Sequence, residues 1–159
     1  MTTSCSTTNI DLCKSLGADE VLDYKSADIL EQLSKIGPTF DLAIDNVGTP
    51  ANLYKQSHNF LVPAGKFVQI GLGVSLGSAQ QLVGNLLIPA FLGGGKRKYE
   101  VLVVGRISED LAQLGAWMKE GKIRNVIDST YEFDDAPKAF IRLKTGRAKG
   151  KIVVHVKKE

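Results

Sequence analysis

Phe40-Asp41-Leu42-Ala43-Ile44-Asp45, broken by Asn46-Val47-Gly48-Thr49-Pro50, is the stretch on which the fold turns. The first part is apolar with an acid near its start and another at its end, which reads as a strand; the second reads as its terminator. Upstream, a polar-apolar helix over about Ala27 to Lys35 stops at Gly37-Pro38 and follows a strand at Val21-Leu22-Asp23-Tyr24. Before that strand, Thr7 or Thr8 is placed to cap a helix through Ile10, Leu12, Cys13 and Leu16, with Gly17 where a left-handed residue is wanted. Downstream the alternation continues. A helix is expected around Ala51 to Leu61, a strand at Gly65 to Gly71, an apolar helix from about Ser78 to Leu92 and a strand at Tyr99 to Val104. A helix capped by Ser108 then carries Leu111, Leu114, Trp117 and Met118 on one side and ends at Gly121. Strand Val126 to Phe133, helix Asp135 to Lys144 with Gly146 as its stop, and strand Lys151 to Val156 complete the chain. Strands alternating with helices require crossover connections, so the fold class is α/β with a doubly wound, mainly parallel sheet.

Composition agrees. The 159 residues are 43% hydrophobic and 23% charged, the balance of a folded domain, and the 16 glycines punctuate segment ends. Twenty basic residues against 17 acidic, well interspersed, argue against a nucleic acid or a membrane as the main partner and for a small molecule. The first residues carry no basic region followed by an apolar run, and no Arg-rich transit segment, so the expected setting is cytoplasmic. The run Leu82 to Leu92, interrupted by Gly84, Asn85 and Pro89, reads as a buried helix rather than a span. Cys5 and Cys13 stand apart with no Cys-x-x-Cys and no nearby histidine, so they read as buried or free thiols and no metal site is expected.

Ligands of open α/β sheets bind at the carboxyl ends of strands, which singles out Ser4 to Asn9, Tyr24-Lys25, Asn46-Val47-Gly48 and Gly71-Leu72-Gly73. Ser4, Ser6, Thr7 and Asn9 would suit a phosphate at a helix N-terminus, or would only cap that helix. Gly71-x-Gly73-x-x-x-Gly77 approximates a dinucleotide loop, but Leu76 stands where the third glycine belongs and no acid follows about 20 residues on. Lys96-Arg97-Lys98 reads as a solvated loop tip. His58 and His155 have no Ser or Cys at triad spacing, Asp41 and Asp45 share a strand face without a supporting site, and Gly-x-Ser-x-Gly is absent. A hydrolase is therefore disfavoured, and no catalytic residue can be named.

Leu16-Gly17-Ala18-Asp19-Glu20-Val21-Leu22-Asp23-Tyr24, the strand from Phe40 to Gly48, the strand from Gly65 to Gly71, and the ending Gly146-Arg147-Ala148-Lys149-Gly150-Lys151-Ile152-Val153-Val154 occur in that order. Together they resemble the C-terminal part of the medium-chain dehydrogenase/reductases, in the zinc-independent quinone oxidoreductase branch that includes the reticulon-4-interacting protein type. The resemblance implies a Rossmann-like domain binding NADPH and hydride transfer to a quinone, enone or related carbonyl compound. It further implies that Ser4, Ser6, Thr7 and Asn9 approach the adenosine 2′-phosphate, flanked by Tyr24 and Lys25. On the same basis Asn46, Val47 and Gly48 border the ribose, and Ile70 and Gly71 meet the nicotinamide with main-chain groups. An acid is not expected at the second strand of such a domain when the cofactor is NADPH.

Complete members of that family begin with a barrel-like domain, a first Rossmann strand and a Gly-rich turn. The resemblance therefore implies a sheet incomplete at its N-terminal side, with residues 1–122 a partial NAD(P)-binding domain and residues 123–159 a segment that returns to the other domain. Exposed apolar patches, a free sheet edge, self-association or a completing partner chain are implied with it. The alternative is a catalytically inactive remnant or a protein-interaction module.

Overall fold

The structure, a computed structural model, describes residues 1–71, 76–103, 105 and 107–156. Leu72 and Gly73 of the glycine loop and Val104 at the end of an expected strand lie outside the described residues. The chain divides into two compact units, Met1–Gly105 and Arg106–Glu159.

In the first unit, β1 (Thr2–Cys5) pairs in parallel with β2 (Glu20–Asp23), with Thr2 opposite Glu20 and Cys5 opposite Asp23. Between them run a 3-10 turn, Thr7–Asn9, and α1 (Ile10–Ser15). β1 is a strand without an apolar run, Thr-Thr-Ser-Cys, and it forms because it has β2 to lean on. α2 (Ile29–Ile36) is started by Asp28, whose carboxylate accepts from the N–H groups of Leu30 (2.8 Å) and Glu31 (3.1 Å). β3 (Phe40–Asp45) covers the stretch read from sequence and pairs in parallel with β4 (Leu61–Gln69), which pairs in parallel with β5 (Lys98–Val101). α3 (Leu76–Leu87) lies between β4 and β5.

The expected helix around Ala51 to Leu61 does not form. Residues 51–56 are successive turns, joined by bonds such as Leu53 N–H to Pro50 O (3.0 Å) and Ser57 N–H to Tyr54 O (2.9 Å), ending in a 3-10 turn at Ser57–Asn59. The physical reason lies in the anchors: Tyr54 and Phe60 both reach the core, and His58 takes up the Lys55 carbonyl (3.1 Å), so the backbone winds tightly instead of propagating. The apolar stretch Leu82 to Leu92 is also not a buried helix. α3 stops at Leu87, Pro89 precedes a separate 3-10 turn at Ala90–Leu92, and Leu87 (73%) and Phe91 (85%) are largely exposed.

Tyr54, Phe60, Leu61 and Phe67 form the core cluster, with Leu33, Phe40, Ala43, Leu53 and Tyr99 packed around it. The Tyr54 ring lies 4.4 Å from that of Tyr99 and 5.5 Å from that of Phe67, centroid to centroid. Burying one such ring stabilises the fold by about 1.5–3 kcal/mol. The Tyr54 hydroxyl donates to the Arg97 carbonyl (2.7 Å), and burial pushes its pKa up. Arg97 is not at a solvated loop tip: its Nε donates to Leu61 O (3.0 Å) and its Nη2 to His58 O (3.3 Å).

In the second unit, α4 (Ser108–Lys119) is followed by β6 (Ile127–Glu132), α5 (Ala136–Lys144) and β7 (Lys151–His155), with β6 and β7 parallel. Arg142 grips Asp128 bidentately, Nε to Oδ2 at 2.8 Å and Nη2 to Oδ1 at 2.7 Å, and Lys149 N–H adds a third bond at 2.9 Å. The Arg142 guanidinium first, and then these hydrogen bonds, hold the Asp128 carboxyl well below the usual carboxylate range. Every strand pair is parallel and helices connect strands, as expected of the α/β class, but the strands are divided among three sheets, ordered β1-β2, β3-β4-β5 and β6-β7.

Candidate cofactor-binding site

The residues singled out at strand ends gather into two clusters. The first surrounds the ends of β1 and β2. Ser4 is exposed on β1, Ser6 precedes the 3-10 turn, and Tyr24 N–H donates to Cys5 O (3.2 Å), which draws Tyr24 and Lys25 alongside. The Lys25 ammonium sits 5.9 Å from the Tyr24 ring centroid. Neither Ser6 nor Asn9 makes a side-chain capping bond, although each occupies a cap position. Ser6 Oγ lies 3.4 Å from Thr8 Oγ1, and Asn9 Oδ1 is buried with no hydrogen-bond partner. The expected single helix is instead a 3-10 turn followed by a six-residue helix, so side chains rather than a long helix dipole are what this end presents.

Sequence reasoning missed Asp23. Its Oδ2 accepts from the Thr7 hydroxyl at 2.6 Å and its Oδ1 from Lys25 N–H at 2.8 Å. The Thr7 bond above all holds the Asp23 carboxyl below its ordinary value, so it is charged at neutral pH beside the hydroxyl cluster. Only the backbone pairing of Cys5 with Asp23 across β1 and β2 brings it there, from sixteen residues beyond Thr7. Cys5 is buried beneath, and that burial pushes its thiol up to about 11.

The second cluster joins the ends of β3 and β4. Asp45, buried, accepts from Val47 N–H (2.9 Å) and Gly48 N–H (2.8 Å) on Oδ1 and from Gln69 Nε2 (2.9 Å) on Oδ2. Gln69 Nε2 also donates to Gly71 O (2.8 Å), while Ile70 and Gly71 donate their N–H groups to Asp45 O at 2.8 and 3.1 Å. Asn46-Val47-Gly48 and Ile70-Gly71 are therefore one knot tied by Asp45 and Gln69, two buried polar residues that sequence reasoning did not rank. The knot is close enough that a Cβ on Gly71 would stand 2.0 Å from Asn46 O, so only glycine fits there.

Ser4 of the first cluster and Asn46 and Val47 of the second border one cleft of about 260 Å³ between β1 and β3. The remaining candidates lie outside it. Among the described residues there is no group of three or more His, Cys, Asp or Glu able to hold a metal ion, and no helix is long and apolar enough to cross a membrane.

The residues suit a nicotinamide dinucleotide on chemical grounds. The first cluster has an unpartnered buried acceptor, hydroxyls not consumed by capping, an aromatic face and an ammonium; the second has rigid backbone at adjacent strand ends. Asp23, which also takes the Thr7 hydroxyl hydrogen, opposes a further phosphate.

The pattern of the family described as zinc-binding dehydrogenase matches residues 16–154. A trans-enoyl reductase, pgmF of Aspergillus terreus, is 48% identical over 162 residues, which cover 98% of this chain and 44% of that protein. The human NAD(P)H oxidoreductase RTN4IP1, mitochondrial, is 34% identical over 168 residues, 98% of this chain and 41% of that protein. The structure of the quinone oxidoreductase from Coxiella burnetii superposes with a TM-score of 0.72 at 26% identity, covering 98% of this chain and 44% of that one. The chain thus spans less than half the length of the relatives it matches.

Proposed function

This chain belongs to the zinc-binding dehydrogenase family, and on that premise we propose that it is the cofactor-holding part of an NADPH-dependent oxidoreductase acting on a quinone, enone or related carbonyl compound. The observation that carries the reading is the gathering of the candidate residues into two clusters at the ends of parallel strands. When bound, the nicotinamide supplies a hydride to the acceptor. Ser4, Ser6 and Asn9 hold the adenosine 2′-phosphate through hydroxyl and amide N–H donors, joined by Thr7 once its hydroxyl turns from Asp23 to the phosphate; Lys25 offsets its charge, and Tyr24 lies along the adenine. Asn46, Val47 and Gly48 border the ribose. At Ile70 and Gly71 the N–H groups are already given to Asp45, so these residues offer carbonyls, which suit the amide donors of a carboxamide. Asp45 and Gln69 fix both loops before any ligand arrives, so the ordering entropy of this part of the site is met on folding. Cys5 and Cys13 as free thiols support a reducing compartment, the cytoplasm in this reading.

Large exposed apolar side chains, Leu76 (87%) and Val103 (83%) among them, favour a second reading, a module that acts by association and has no activity of its own. Calorimetric titration of the chain with NADPH and, separately, NADH decides between them. Micromolar binding with at least about tenfold preference for NADPH is expected, a difference of about 1.4 kcal/mol. Equal affinities would remove the 2′-phosphate assignment, and no heat with either, from a chain folded by circular dichroism, would favour the association module.

A further inference from the structure

Cys5 closes β1 and Cys13 lies in α1, with Ser6 and the 3-10 turn Thr7–Asn9 between them. Their spacing in sequence gives no reason to pair them; the fold does. Cys5 is pinned in the ladder opposite Asp23, and its carbonyl accepts from Tyr24 N–H at 3.2 Å. α1 packs back against both β1 and β2, and the Cys13 carbonyl is fixed by Leu16 N–H (3.2 Å) and Ala18 N–H (3.1 Å). From these two anchored backbones the side chains meet: the Cys5 thiol donates a hydrogen bond to the Cys13 sulfur. Both are free thiols.

A disulfide forms without backbone movement only between sulfurs that are close and turned toward each other. Two thiols in hydrogen-bond contact meet that condition. They also divide the work. Cys13 is half-buried, so it is the sulfur that a reagent in solution reaches. Cys5 is buried, and that burial first, then the bond to Cys13, keep its proton on, with the thiol pushed up to about 11. Cys5 is therefore the second sulfur to react, shielded from solution and within reach of its neighbour.

We propose that Cys5 and Cys13 are a redox site: they exchange with a low-molecular-weight disulfide of the glutathione class and close a reversible bond that straps the turn between them. Cys13, its proton lost to solvent, attacks one sulfur of the small disulfide; a new S–S bond forms, the old one breaks, and one small thiolate leaves and takes up a proton. The Cys5 thiol then gives its proton to solvent and its sulfur attacks Cys13 Sγ, forming the Cys5–Cys13 bond and releasing the second small thiol. The two protein thiols have lost two electrons and two hydrogens, and the small disulfide has gained both. The loop closed in this way carries Ser6, Thr7 and Asn9. In the cofactor reading, on which this one consequence rests, Thr7 turns from Asp23 to the phosphate, and a strapped turn resists that motion. The oxidised chain therefore holds NADPH more weakly than the reduced one.

In the test, the full chain is brought to equilibrium with mixtures of reduced glutathione and glutathione disulfide, trapped by alkylation, unfolded and digested with trypsin. Lys14 is the first basic residue, so one peptide, residues 1–14, carries both cysteines and reports the bond as the loss of two hydrogens and of both alkyl groups. The expected result is that internal bond, reversed by dithiothreitol, with an equilibrium constant at least about tenfold larger than for the same chain in concentrated urea, because folding holds the sulfurs together. Affinity for NADPH, read by calorimetry, is expected to be at least about threefold lower in the oxidised chain. Glutathione retained on Cys13, a disulfide between two chains, or an equilibrium constant no larger than in urea overturns the proposal. Unchanged NADPH affinity on oxidation overturns the strapping of the turn. So does an equal loss of affinity in Cys13→Ser, which cannot form the bond and is changed at a half-buried position that leaves the fold intact. A reduced chain that binds no NADPH overturns the cofactor reading alone, and the peptide masses then decide the redox site by themselves.

Discussion

The loops leaving β3 and β4 and the loops leaving β1 and β2 occupy the same ends of parallel strands but treat their polar groups in opposite ways. At the first pair, Asp45 and Gln69 are buried and the carboxylate takes three donors, Val47 N–H, Gly48 N–H and Gln69 Nε2, with Gln69 Oε1 left unpartnered. At the second pair, Ser6 caps nothing, Asn9 Oδ1 has no partner, and Thr7 is held by a carboxylate at the surface. A buried polar group must be paired to be tolerated, so folding fixes its geometry; an exposed hydroxyl exchanges partners with water at small cost. In the proposed reading, one end positions the cofactor and the other discriminates between its two forms.

The comparison breaks most visibly from beneath. Phe67→Ala removes a ring that is 1% exposed and lies under the β3–β4 end, and should lower unfolding stability by about 3–5 kcal/mol in urea titrations. A loss under 1 kcal/mol would mean the positioning end has no rigid base. Next, Asp45→Leu strands three donors in a buried place and should cost about 2–4 kcal/mol. It should weaken NADPH and NADH binding alike, as read by calorimetry, because it loosens position without altering charge at the phosphate end.

The discriminating end should answer differently. Ser6→Asp with Thr7→Asp gives up the Thr7–Asp23 hydrogen bond and sets like charges side by side, at a cost of about 1–2 kcal/mol of stability, and should weaken NADPH at least about tenfold more than NADH, through repulsion of the 2′-phosphate. Equal losses for the two cofactors would erase the distinction between the ends. The smallest effect expected is from Asp23→Asn, a rise of about threefold in NADPH affinity with NADH unchanged, since one exposed charge acts through water. Because the Thr7 hydroxyl holds the Asp23 carboxyl below its ordinary value, that charge persists as pH falls past the usual carboxylate range. The NADPH gain from Asp23→Asn should therefore be present throughout pH 6–8, and fluorescence titration across that range checks it.

Much of the fold was legible because glycine and proline mark its joints. β3 runs over the residues assigned to it, and β2, α2, α5 and β7 differ by one or two residues at their ends. What escaped depends on residues distant in sequence. β1 has no apolar run and exists through β2; the turns at 51–59 exist because Tyr54 and Phe60 share a core. The candidate residues could be picked as positions after strands. Their partners could not, since Asp23 reaches Thr7 over sixteen residues and Gln69 reaches Asp45 over twenty-four.

Three consecutive basic residues, Lys96-Arg97-Lys98, are the preferred food of trypsin-like proteases when a loop is free. Here the middle guanidinium is spent on the carbonyls of Leu61 and His58, its own carbonyl holds the Tyr54 hydroxyl, and β5 begins at the next residue. A protease must take an extended segment into its cleft, so cutting at this triplet requires the aromatic core to open first. The triplet is thereby a built-in clock for the first unit: its rate of cleavage under native conditions counts the openings of the Tyr54–Phe67–Tyr99 core, with no label attached to the protein.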